Sequence, residues 1–142
     1  MGHVFLSYAR RNSEFADRLV TALERRGLKV WLDRSDIPGG AAWDASISEA
    51  LQDAVAVVVV LSPDALKSEH VVREVALAGD YGQRIIPVEY VPTPPMSAVP
   101  ARTGLTHAIA YRLAGLQWID FVHQDFERAV DRVVEALTAN RA

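Results

Sequence analysis

The chain contains no cysteine. That excludes disulfides, thiolate catalysis and cysteine-ligated zinc, and it suits a reducing compartment. It has no long apolar run either. The most hydrophobic stretch, Ala54 to Leu61, falls far short of the ~20 residues a membrane-spanning helix needs. No basic segment followed by an apolar core precedes the first strand-like run near Met1, so no secretory signal is read and a cytoplasmic placement is expected. A large charge of one sign is also missing. Fifteen Lys and Arg against eighteen Asp and Glu leave a formal charge of −3, which provides no electrostatic footprint for nucleic acid. Neither G-x-G-x-x-G nor a P-loop occurs, so the common phosphate cradles are absent. The four histidines, His3, His70, His107 and His123, are too scattered for metal-ligand spacing.

What remains is a chain of 142 residues, half of them hydrophobic, which fits one globular domain over 1–142. The last residues, "LTANRA", lose apolar periodicity where a linker would begin. Two organisations stay open: a complete small protein, or the N-terminal effector domain of a longer chain.

Strand and helix patterns alternate. "HVFLSYA" reads as a first strand, and a helix capped by Asn12 or Ser13 follows, with Phe15, Leu19, Val20 and Leu23 at helical spacing and Gly27 in the C′ position. "LKVWLD" is a second strand and "RSDIPGGAA" a loop. Trp43, Ile47, Ala50, Leu51 and Ala54 mark a short amphipathic helix. "AVAVVVVLS" is continuously apolar and β-branched, as a central parallel strand buried on both faces must be. A turn through Pro63, a helix from about Ser68 to Asp80 and the strand "QRIIPVEYV" come next. "PTPPMSAVPARTG" is irregular, "GLQWIDF" is a short fifth strand, and Phe126 to Leu137 form a closing helix. This alternation predicts an α/β fold: a flavodoxin-like, five-stranded parallel sheet of order 2-1-3-4-5 with helices on both faces. Ligands of such sheets bind beyond the carboxyl ends of the strands, at the switch point between strands 1 and 3.

The helix beginning near Ser68 carries two glutamates. A wheel at 100° per residue gathers Val71, Val72, Val75, Ala76 and Gly79 on the sheet-facing side. Glu74 falls on one flank with His70, and Glu69 about 140° away on the other. They cannot form a carboxylate pair. Glu69, in the first turn, has an ordinary explanation in the helix dipole. Glu74 lies too deep for that and reads either as a solvated surface charge or as a working group.

Several segments, in order and spacing, resemble the Toll/interleukin receptor (TIR) domain in its bacterial form. They are "VFLSYARRNSEFADRLVTALERRGLKVWLD", "IPGGAAWDASISEAL", "VVVVLSPDALKSEHVVREVALA", "RIIPVEYV" and "LQWIDF". The motifs are the S-Y box after strand 1, W-L-D before the glycine-containing loop, G-x-x-W-x-x-x-I opening helix 2, and S-x-x-V-x-x-E as Ser68, Val71 and Glu74. Many TIR domains of this type cleave NAD+ between nicotinamide and ribose. The resemblance implies that Glu74 is the catalytic glutamate and that Tyr8, Ala9, Asp33, Trp43, Ser62 and His70 are substrate-binding positions. It also implies that Ile37, Pro38, Gly39 and Gly40 belong to a loop that docks on other TIR domains. Arg10, Arg11 and Asn12 stand where many relatives have an acid, and His70 where an aromatic is common.

The expected function is therefore NAD+ glycohydrolase or cyclase activity, giving ADP-ribose or cyclic ADP-ribose, in a defence or signalling effector activated by self-assembly. NAD+ is the substrate, with no resident cofactor and no metal. The expected partners are other TIR domains and a fused or associated sensor domain, with neither nucleic acid nor membrane. The alternative is a non-catalytic TIR adaptor that signals by assembly alone. A phosphoacceptor receiver on the same fold is disfavoured, because "LSYARR" and "LSP" stand where its acidic residues would be.

Overall fold

In a computed structural model, the described residues are 2–32, 45–92, 113 and 116–138. The first strand, β1 (His3–Ser7), is followed by a 3-10 turn at Arg10–Asn12 and helix α1 (Ser13–Arg25). Then come β2 (Val30–Leu32), α2 (Ala45–Asp53) and β3 (Ala54–Leu61). A one-turn helix α3 (Pro63–Leu66) precedes α4 (Glu69–Asp80), β4 (Ile85–Glu89), β5 (Ile119–Asp120) and α5 (Phe126–Thr138). The sheet is five-stranded, with the expected order β2-β1-β3-β4-β5, and every pairing is parallel.

β3 is the hub of the sheet. Val57 to Leu61 are all wholly buried, as the unbroken apolar run requires. Alternate residues divide between two cores. Val57, Val59 and Leu61 join Phe5 under α2 and α4, whereas Ala56, Val58 and Val60 join Val4 and Leu6 under α1 and α5. The register slips by one residue at the start of β3, pairing His3 with Ala54 and Val4 with Ala56. The extra residue is Val55, which is 55% exposed.

Local chemistry sets the boundaries. α1 ends in a Schellman motif: Leu28 N–H donates to Leu23 O and Gly27 N–H to Glu24 O, with Gly27 at φ +86°. α4 ends in the same way at Gly82. The turn expected at Pro63 is a full helical turn, because Ser62 Oγ accepts from Ala65 N–H and Pro63 occupies N1. Pro87 is buried inside β4. Tyr90 N–H bonds to Leu61 O and Glu89 O accepts from Phe121 N–H, so by alternation Pro87 is turned to the β5 side. Pairing with β5 begins only at Val88–Ile119, so the missing N–H breaks no ladder bond there.

Candidate functional site

The connections after β1 and β3 leave the sheet side by side, at the switch point flanking the central strand. Ser7, the last residue of β1, shares parity with Phe5 and therefore faces α4. It stands where the apolar row of that face would otherwise continue. Over it lies Glu74, only 2% exposed, and Ser7 Oγ donates to Glu74 Oε1 at 2.6 Å. Both side chains are buried. A carboxylate removed from water costs several kcal/mol unless polar partners answer it, and here a strand-end hydroxyl is one such partner.

Glu74 is thus not a solvated flank residue. The buried side of α4 is Val71, Val72, Glu74, Val75 and Ala78, not the predicted set ending in Ala76 and Gly79. The helix is rotated about 60° from the wheel's expectation, which brings Glu74 from about 130° to about 70° off the buried centre. Glu69 remains exposed in the first turn, with Arg73 at 3.9 Å as a solvent-screened neighbour. Ser68 caps the helix as expected, accepting from Val71 N–H at 3.3 Å.

Tyr8, Arg10, His70 and Glu74 line a cleft of about 10 Å³, on the scale of one water molecule. Tyr8 is 8% exposed and packs into the α1/α5 core, so most of its ring is committed. Ala9 is buried against the opposite core. Ser62 is buried as well. Its hydroxyl donates to Asn12 Oδ1 at 2.6 Å while accepting the Ala65 cap bond. Asn12 occupies the N-cap position of α1 yet makes no side-chain cap. Its amide oxygen instead ties the turn after β1 to the turn after β3, a link spanning 50 residues of sequence.

The structure therefore brings Tyr8, Ala9, Ser62, His70 and Glu74 to one edge. Asp33, Trp43 and the assembly-loop residues Ile37, Pro38, Gly39 and Gly40 lie outside the described residues. Two residues that sequence reasoning did not assign to the site, Ser7 and Asn12, hold the edge together. A polar residue at the parity of Phe5, closing an otherwise apolar strand, is the signal that could have identified Ser7. Among the described residues, no three metal-ligating side chains cluster, and no helix is long and apolar enough to cross a membrane.

Comparison with known proteins agrees with this architecture. The chain is similar to the TIR domain of the Toll-related receptor TRR-2 from Hydra magnipapillata, at 24% identity and TM-score 0.72, covering 99% of this chain and 100% of that one. The TIR domains of the activated Roq1 resistosome, which directly recognises the pathogen effector XopQ, match at 17% identity and TM-score 0.71, covering 96% and 99%. A TIR-STING receptor from C. gigas in complex with 2',3'-cGAMP matches at 21% and 0.69, over 97% of this chain but 40% of that one. At such identities these likenesses establish the fold. No curated protein sequence matches the chain. A family profile described as the TIR domain matches residues 4–134, nearly the whole length. The chain belongs to the TIR domain family.

Proposed function

We propose that this domain cleaves NAD+ at the nicotinamide–ribose bond, with Glu74 as the catalytic carboxylate. The observation that carries the reading is the burial of Glu74 beside Ser7 at the carboxyl edge of the sheet. A protein retains so costly a group where its charge is used. The chemistry needs only one such group. Nicotinamide departs from its pyridinium as a neutral base and takes no proton, whereas ordinary glycosides require a second, acidic carboxyl group. Glu74 stabilises the positive charge that develops on the ribose as the bond breaks. Ribose C1′ is then captured by water, giving ADP-ribose, or by the adenine of the same molecule, giving a cyclic product.

NAD+ is far larger than the cleft bounded by the described residues. That mismatch supports coupling catalysis to assembly, with the Ile37–Gly40 segment docking on a neighbouring TIR domain to complete the site. Isolated domains would then be poor enzymes. Turnover per molecule should rise with concentration or on a clustering scaffold, and Ile37→Asp or Gly40→Arg should lower it at unchanged melting temperature. Constant turnover across a wide dilution series removes the assembly step from this reading. In its full form, the proposal is a cytoplasmic defence or signalling effector governed by a fused or associated sensor, with residues 1–142 as one effector domain.

The small cleft also favours a second reading, an adaptor that assembles without catalysis. Mass spectrometry of NAD+ incubated with concentrated protein separates the two. Wild type should release nicotinamide, and Glu74→Gln should do so at least ~10²-fold more slowly, the scale of losing one electrostatic stabiliser. Equal rates from the two proteins would reject catalysis by Glu74.

A further inference from the structure

We infer that Ser7 is the positioning residue for the Glu74 carboxylate, holding it by one oxygen so that its plane stays fixed while charge develops at the ribose. The inference rests on the reading of Glu74 given above, but its observations are separate. Ser7 is wholly buried at the end of a strand, where a small apolar residue would pack at no polar cost. Its hydroxyl donates to Glu74 Oε1 at 2.6 Å, a short contact of the charge-assisted kind. The two residues are 67 positions apart and come from β1 and from the helix that leads from β3 to β4, so the bond locks helix α4 to the tip of β1.

A carboxylate on a flexible glutamate side chain has several accessible torsions. Catalysis that depends on preorganised charge loses rate when those torsions are free. A hydroxyl rooted in the sheet removes that freedom. Ser7 itself need not touch the substrate: it lies beneath Glu74, and the cleft is lined by Tyr8, Arg10, His70 and Glu74 without it. Among the described residues, the cationic and titratable groups that line the cleft with Glu74 are Arg10 and Tyr8 from the turn after β1 and His70 from α4. None of the three is altered by changing Ser7.

The test compares Ser7→Ala and Ser7→Thr with wild type at matched concentration. Ser7→Ala should lower kcat about 10-fold, with KM within about 2-fold, the pattern of a group that orients without binding. Its acid limb in the kcat profile should move to higher pH by about one unit, because a hydrogen bond to the charged form has been lost. Ser7→Thr keeps the hydroxyl and should recover most of the rate if its extra methyl is accommodated, which its melting temperature reports. A second measurement is independent of turnover: the pH titration of the Glu74 side-chain carboxyl carbon, followed by NMR in wild type and Ser7→Ala. Its midpoint should rise in the variant. An unchanged midpoint together with unchanged kcat overturns the role of Ser7. If Glu74→Gln is as active as wild type, the catalytic reading fails instead, and a raised midpoint in Ser7→Ala would still show that Ser7 controls the carboxylate.

Discussion

At the carboxyl edge of the sheet, the two faces finish differently. On the α1/α5 side the edge closes with aromatic rings. Phe15 stacks on Tyr90 with centroids 4.2 Å apart, Phe121 and Phe126 meet it edge-on, and the Arg18 guanidinium covers the Phe126 ring at 4.2 Å. On the α4 side the corresponding place is taken by a serine hydroxyl and a buried carboxylate. One face invests its edge in packing, where each large ring contributes burial and ring–ring attraction. The other accepts a polar cost there. Stability and proposed chemistry thus occupy opposite sides of one sheet at the same edge.

Substitutions on each face should break this contrast in characteristic ways. Val59→Asp, in the strand both cores share, should abolish folding, since an unpaired buried carboxylate costs several kcal/mol against a total stability of ~5–15. A soluble variant that melts cooperatively would contradict the central role of β3. Phe15→Ala should cost about 3–5 kcal/mol and lower Tm by about 10 °C or more, while turnover per folded molecule is kept. A proportionate fall in specific activity would mean that the aromatic edge serves the site. Glu74→Gln should show the reverse pattern, losing nicotinamide release while Tm moves by only a few degrees.

Asp120, beside Phe121 in the chain, offers a smaller, pH-dependent test. Backbone N–H donation from His123, with Val122 adding a second bond, holds its carboxyl below the ordinary aspartate range. A lowered folded value means that this contribution is complete above the unfolded value and is lost as pH falls through the folded one. The Tm difference between wild type and Asp120→Asn should therefore be flat near neutrality and shrink below about pH 4. A difference independent of pH would show that the carboxylate charge is not what matters. Smallest of all, Glu69→Gln should change neither Tm nor turnover measurably, because its pairing with Arg73 is solvent-exposed.

Much of the fold was legible because it is written in local pattern. The unbroken β-branched run dictated a strand buried on both faces, and Gly27 ended α1 where a left-handed residue is required. The site was less legible. The wheel for α4 placed the small residues Ala76 and Gly79 on the buried side with the valines, but packing against the sheet chose Ala78 and with it Glu74. Hydrophobic periodicity does not register a buried carboxylate, because its burial depends on a hydroxyl 67 residues away. Asn12 had the signature of a helix cap, and its long-range bond to Ser62 displaced the local one. The family resemblance, not periodicity, singled out Glu74.

The proline in β4 and the brevity of the outer strands have a further consequence. Among the described residues, the sheet's rims are β2, with three residues, and β5, with two. So few rim residues leave little unpaired backbone to template another chain. Crowding many copies together, as the proposed activation demands, then carries little risk of runaway strand addition. Contacts between copies would have to be made by loops and helices, whose geometry is specific and reversible, and clusters so formed should disperse on dilution instead of maturing into cross-β fibres.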